Sequence, residues 1–434
     1  MKSRVLRLLP YAFKYSGRLV LALQVILAGK YLSPVDFTLF ITLVNFQKVV
    51  YVIGTGGSHN SVLMGDTSKQ GLYIGKSLLL GLFFAIVAFA LEIPRGFSTI
   101  SKPLLVSLIL IIAVSPVTRI YSYIDVRNGN NLRSAFLEEG LKGILVCVAL
   151  LFIRNVHLFS IFLGLSFAFP VAIWVLKGPK PVFNLKEFYG STKVSILTLI
   201  PGASMMLINW LVVYLAPFEY SDLEILGSSV SFTLLTITGM YIASANLYSA
   251  NFIRTSSDSV YLKWVFTSLV VPAQLMLLGL TLAAPIVLYL FYPSNYEFML
   301  SSFMSFMPIY SLIFIGQVLY ARLVYVNKIR IAALLSVVGM AASLAVMFIT
   351  MGKYPLSIQW GVSLVAWNLI PCLYYFWRAK HRVHRLLIIC IVCLGLLNYR
   401  IINDSSSWIS EKWQLIIKSD STNILSGAVQ FRAS

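Results

Sequence analysis

Charge is scarce in this chain: only 11% of its 434 residues are Asp, Glu, Lys or Arg, where a water-soluble chain carries about a quarter. Acids are scarcer than bases, at 15 against 34, and histidine and cysteine number four each. So low a charge density excludes a water-soluble globule of this length. The histidines offer no catalytic pairing: His59 stands alone, His157 falls in a loop, and His381 and His384 sit among basic residues. No Walker-type glycine loop is present, which excludes an ATPase of that kind. Cys147, Cys372, Cys390 and Cys393 all fall in apolar runs. Cys390-x-x-Cys393 has redox or zinc spacing, but neither polar surroundings nor a second pair. All four read as small hydrophobes inside spans, and no metal or cofactor is expected.

What fills the chain instead is apolar sequence, 59% by composition with a mean hydropathy of +0.84. Runs of about twenty residues recur between short polar breaks, long enough to cross a bilayer as helices. They place spans near 8–30, 37–58, 71–92, 104–124, 134–153, 157–176, 194–216, 226–250, 261–291, 298–321, 330–351 and 355–377. The fold class is therefore all-α integral membrane with 12 core transmembrane helices. A thirteenth, at 386–402, is only just long enough, and the tail beyond Asn403 is polar apart from the amphipathic piece 411–418. The first span follows a basic start and is too long for a signal-peptide core, so it belongs to the mature chain.

The net charge of +19 could suggest nucleic acid, but its placement does not. With the N-terminus cytoplasmic, the opposite side of the first twelve spans takes only Lys30, Arg95, Lys102, Arg154 and Lys353. That is the positive-inside bias, and it sets orientation without any nucleic-acid partner. Segment 177–193, rich in Lys, Pro and Gly, divides the chain into six-span halves, 1–176 and 194–380, with 381–434 as an appendage. The halves echo each other. Tyr31-Leu32-Ser33-Pro34 answers Tyr214-Leu215-Ala216-Pro217. Tyr123, Asn130, Arg133, Ala135 and Leu137 answer Tyr320, Asn327, Arg330, Ala332 and Leu334. Six is even, so the duplicated units enter from the same side as a parallel repeat.

Four polar groupings stand out. Lys48 lies near the middle of the second span with Asn45 three residues earlier on the same helical face. Either interface is about ten residues, or ~15 Å, away, so a cavity or a partner is expected there. Arg18 and Lys14 share a face of the first span and either join that cavity or snorkel to the interface. Arg119, Asp125 and Arg127 end the fourth span while Glu138, Glu139 and Lys142 open the fifth. Pairing between these two helices competes with a coupling role for Glu138 or Glu139, and Asp36 is a further coupling carboxylate. Asn209 and Asn246, with Asn251 and Arg254, offer amides that suit sugar hydroxyls and equally suit interhelical glue. The loop carrying Glu219, Asp222 and Glu224 reads as a solvated acidic turn.

The opening pattern is a basic start, one span, Leu32-Ser33-Pro34-Val35-Asp36-Phe37, then a second span running to Gly54, Gly56 and Gly57. It resembles the start of Wzx-type polysaccharide flippases of the multidrug/oligosaccharidyl-lipid/polysaccharide (MOP) exporter superfamily. Segments 280–314 and 318–334 are similar to that family's later spans and basic loop. The resemblance, one of pattern over residues 5–380, implies two six-helix lobes around a cavity lined by helices 1, 2, 7 and 8. It implies alternating access for a polyprenyl-pyrophosphate-linked oligosaccharide, the repeat unit of an O-antigen or capsule. Arg18, Asn45, Lys48, Asn209 and Asn246 fall on those helices. Lys48 would meet the pyrophosphate and the amides the sugars, in a bacterial inner membrane beside a glycan polymerase or ligase. The second half departs from this pattern by offering no mid-span cation. A drug extruder of the superfamily would want a buried carboxylate, and a glycan polymerase or ligase a large catalytic loop; neither shows in the sequence.

Overall fold

The computed structural model describes residues 2–59, 62, 69–92, 101–326 and 328–378. They form α1 (Lys2–Tyr31), α2 (Pro34–Ile53), α3 (Gln70–Glu92), α4 (Lys102–Arg127), α5 (131–151), α6 (Val156–Lys177), α7 (Leu185–Leu215) and α8 (Asp222–Tyr248). A short helix, Ala250–Thr255, precedes α9 (258–291), α10 (Tyr296–Tyr325), α11 (Ile329–Thr350) and α12 (Leu356–Arg378). Two of these are interrupted by wide turns of π-helix, Phe136–Leu141 in α5 and Phe266–Val270 in α9. Eight segments among the described residues are long and apolar enough to cross a membrane. The expected thirteenth helix, its Cys390 and Cys393, and the tail lie outside the described residues.

Local chemistry explains the boundaries. Ser33 caps α2, its hydroxyl accepting from the Asp36 amide at 3.1 Å, and Pro34 occupies the first turn, where no amide donor is needed. At the other end the chain leaves the helix at Gly54 and turns through Gly56 and Gly57, whose φ of 55° and 77° only glycine adopts cheaply. Asn155 caps α6 in the same way as Ser33 caps α2. Outward-facing residues are apolar: Leu275, Leu278, Leu282 and Ile286 recur every three or four residues on α9, as Leu79, Leu82, Phe83 and Ile86 do on α3. An exposed stripe of that size suits lipid, not water.

In lipid no hydrophobic driving force joins helices, so close packing must. Small residues supply it. A Cβ at Gly17 of α1 would fall 2.4 Å from the Glu139 carbonyl of α5, and one at Gly54 would fall 2.4 Å from Pro116 of α4. The packed pairs repeat with a shift of six helices. α2 packs on α4, α4 on α3 and α6, and α5 on α6 and α1. Correspondingly α8 packs on α10, α10 on α9 and α12, and α11 on α12 and α7. Tyr121 stacks on Trp174 between α4 and α6, as Tyr320 stacks on Trp367 between α10 and α12. The halves meet through α1 on α8 and α2 on α7, themselves equivalent under the same shift.

The connection between halves is shorter than the expected 177–193, because α7 already begins at Leu185. What remains lies along α3. The Val182 amide donates to the Gly71 carbonyl at 2.8 Å, the Tyr121 hydroxyl donates to the Pro179 carbonyl at 2.7 Å, and the Gly178 amide to the Trp174 carbonyl at 2.7 Å. The chain can come this close because Gly71 and Gly75 lack side chains: a Cβ would meet the Lys180 and Val182 carbonyls at 2.6 and 2.2 Å.

Candidate functional site

The end of the bundle that holds the turn after α2 and the start of α5 gathers the buried charge. Lys14 of α1 and Glu138 in the π turn of α5 form an ion pair of 2.6 Å, with side chains 13% and 4% exposed. Glu138 also accepts from the Ser122 hydroxyl of α4 at 2.7 Å and from the Tyr51 hydroxyl of α2. One carboxylate thus fastens four helices, and its acceptor sites are largely filled. Glu139 pairs with Lys142 at 3.0 Å, and the Lys142 ammonium lies over Phe167 of α6. Asp125 accepts from the Trp174 indole at 2.8 Å and faces Arg133 at 3.5 Å. Between α4 and α5 the ion pair that forms among the described residues is Asp125 with Arg133. Glu138 pairs with Lys14 of α1 instead, where Gly17 lets α5 approach.

Arg119 points elsewhere. Its guanidinium sits 4.9 Å from the Tyr51 ring centre and 5.3 Å from that of Tyr123, and Nη2 meets His59 Nε2 at 3.1 Å. His59, 3% exposed, holds Thr55 Oγ1 at 2.6 Å through its other nitrogen. His59 thus has a partner in Arg119, though not the Ser, Cys or carboxylate that a catalytic pairing would use. Its partner is sixty residues distant, and the only local hint is that Tyr51, Thr55 and His59 recur every fourth residue.

Lys48 lies one turn from Tyr51 on the same face of α2. Its ammonium donates to Asn45 Oδ1 at 3.1 Å and lies 5.9 Å from the Phe232 ring of α8, so it faces the seam between halves. It is not central in its helix: α2 ends at Ile53, and five residues, or ~7.5 Å, separate it from that end. Asn45, 2% exposed, donates to the Ile41 carbonyl. Phe232 stacks at 4.3 Å on Trp360 of α12, whose indole donates to Asn209 Oδ1 at 2.7 Å. Asn45, Lys48 and Asn209 thus belong to one chain of contacts across the seam. Asn209 is held as interhelical glue within the second half. Farther along, Phe46 of α2 tilts against Trp210 of α7 at 5.2 Å, and Trp210 against Tyr214 at 5.1 Å.

Of the remaining expected site residues, Asn246 and Asp36 are not brought there. Asn246 is buried on α8 with its Oδ1 lacking a partner among the described residues. Asp36 caps α2 at the opposite end, accepting from Ser33 and from the Ser101 amide, so geometry gives it a structural part. Arg18 lies within α1, but its side chain is outside the described residues. Among the described residues no cluster of three His, Cys, Asp or Glu could hold a metal.

No protein-family model matches the sequence, and no curated protein matches it either. Solved structures match in fold. An inward-facing multidrug resistance MATE family transporter of the MOP superfamily aligns with a TM-score of 0.60 and 13% identity, covering 88% of this chain and 98% of its own. A MATE in a straight conformation gives 0.58 and 14%, covering 89% and 96%. The lipid II flippase MurJ, in an inward closed conformation, gives 0.53 and 14%, covering 96% and 100%. The chain is thus an all-helical multi-pass membrane protein with the fold shared by these MOP-superfamily transporters.

Proposed function

We propose that this protein is a flippase of the Wzx type, turning a polyprenyl-pyrophosphate-linked oligosaccharide from the cytoplasmic to the periplasmic leaflet of a bacterial inner membrane. In this reading the lobes 1–176 and 194–380 alternate about the seam formed by α1, α2, α7 and α8, with the N-terminus cytoplasmic. The observation that carries it is the charge of that seam. Lys48 faces it, and the four helices carry no carboxylate beyond Asp36, Glu187, Asp222 and Glu224, all within four residues of a helix end. The cation would hold the pyrophosphate by charge-assisted hydrogen bonds, while amides and the rings of Trp210 and Tyr214 would meet the sugars. The repeat unit would be that of an O-antigen or capsule, handed to a glycan polymerase or ligase.

Drug extrusion is the second reading, because two of the structures alike in fold are MATE transporters. It asks for a carboxylate open to a cation, whereas Glu138, Glu139 and Asp125 each face a lysine or arginine. The test is lipid extraction from a deletion strain with intact glycosyltransferases. Complete lipid-linked units trapped on the cytoplasmic leaflet, with surface glycan lost, are expected. Units that reach the periplasmic leaflet unpolymerised would mean a polymerase or ligase, and unchanged glycan with raised drug sensitivity would mean an extruder.

A further inference from the structure

Arg119 differs from the ion-paired cations of the first half. Lys14, Lys142 and Arg133 each face a carboxylate; Arg119 faces none within ion-pair distance. Its contacts are two aromatic rings, one histidine nitrogen, and the Tyr123 hydroxyl at 3.4 Å, the last two both through Nη2. Nε is buried with no partner, and Nη1 has none among the described residues. Three of the five guanidinium N–H donors are therefore unspent. A half-buried arginine with idle donors and no counter-charge is costly unless something else satisfies it.

Its position says what could. Arg119 lies over Tyr51, and Tyr51 is three residues from Lys48 on the same face of α2, the face turned to the second half. Glu138, which accepts from the Tyr51 hydroxyl, is held by Lys14. Two cations thus meet neighbouring turns of α2, Arg119 lying over Tyr51 and Lys48 standing three residues earlier.

The geometry points to Arg119 as a second anion-binding residue, which engages a diphosphate at the mouth of the seam and shares it with Lys48. The Tyr51 and Tyr123 rings lie against the guanidinium and His59 holds Nη2, so Nη1 is presented with little loss of side-chain freedom on binding. A diphosphate carries charge on two centres and suits two cations spaced along a path. This inference rests on the reading of the substrate given above.

The test uses the full-length purified protein in nanodiscs of neutral lipid, with farnesyl diphosphate and inorganic pyrophosphate as probes. Wild type is expected to bind both. Lys48→Gln and Arg119→Gln are each expected to weaken binding about tenfold or more, the worth of one charge-assisted hydrogen bond. A second measurement needs no substitution. Phenylglyoxal modification of Arg119, read by mass spectrometry, should be suppressed by pyrophosphate. Normal binding by Arg119→Gln, with Lys48→Gln impaired, overturns the role of Arg119 and leaves the flippase reading standing. Failure of wild type to bind either probe overturns both. Equal protection of Arg119 by phosphatidylglycerol headgroups at the same concentration also overturns it, and makes Arg119 a lipid anchor.

Discussion

Replacing Glu138 by glutamine keeps its shape and removes the charge that fastens α1, α2, α4 and α5. Lys14, 13% exposed, loses a counter-charge at 2.6 Å, and the Tyr51 and Ser122 hydroxyls lose an ionised acceptor. Breaking a buried ion pair from one side costs ~3–5 kcal/mol; the residual exposure of Lys14 and the surviving amide carbonyl place this case near ~3 kcal/mol. Lys14→Met should cost a similar amount, since it leaves Glu138 buried without the ammonium. The double variant Lys14→Met/Glu138→Gln removes both charges and should cost no more than either single variant, giving a coupling of about 3 kcal/mol in a double-mutant cycle. Reversible unfolding of the purified protein by SDS titration reads all four corners. Additive losses in the double variant would show that Lys14 and Glu138 do not act on each other, and the account of the cluster would fail.

Lys48→Arg should keep partial function while Lys48→Ala and Lys48→Glu lose it at normal expression; surface glycan on gels checks this, and equal tolerance of all three would make Lys48 structural. Trp360→Phe leaves the buried Asn209 Oδ1 without its donor and should cost ~1–2 kcal/mol in the same unfolding assay. Gly29→Val puts a Cβ 2.3 Å from Leu226 and 2.8 Å from the Tyr292 hydroxyl, so it should part α1 from α8; faster maleimide labelling of Leu226→Cys reports it. Tyr220, in the loop between α7 and α8, has its ionisation pushed up by burial and by Glu224 and Glu219. Its folded-state pKa exceeds the unfolded one, so its contribution to stability is whole below pH ~10 and is lost as pH rises through the folded value. Ultraviolet titration of wild type against Tyr220→Phe tests the sign.

The helices were legible because lipid imposes a simple code: twenty apolar residues and a break. Ser33-Pro34 and Gly54-Thr55-Gly56-Gly57 marked α2. What the sequence hid is contact at a distance. Lys14 and Glu138 are 124 residues apart, Arg119 and His59 sixty, and no spacing rule relates them. The place of Lys48 in its helix was misjudged because the span was counted through 54–58, where the glycines have already left the helix. The π turn at 136–141 is equally silent in the sequence, yet it decides which way Glu138 points. Asn209 illustrates a residue type with two uses: its amide fits a sugar, but Trp360 already occupies its oxygen.

The connection lying on α3 changes what kind of joint the molecule has. A rope lashed down along most of its length has only the slack of its unlashed end. Residues 178–182 are lashed to α3 and α4, so in the proposed alternation the first half would carry them, and almost nothing separates Val182 from the first residue of α7. Any swing between halves must then be absorbed at 183–185 or by flexing α7 itself, which contains Pro201. Lengthening the chain at 178–182 would add a bulge and no freedom, whereas a few flexible residues inserted after Asn184 would loosen the joint.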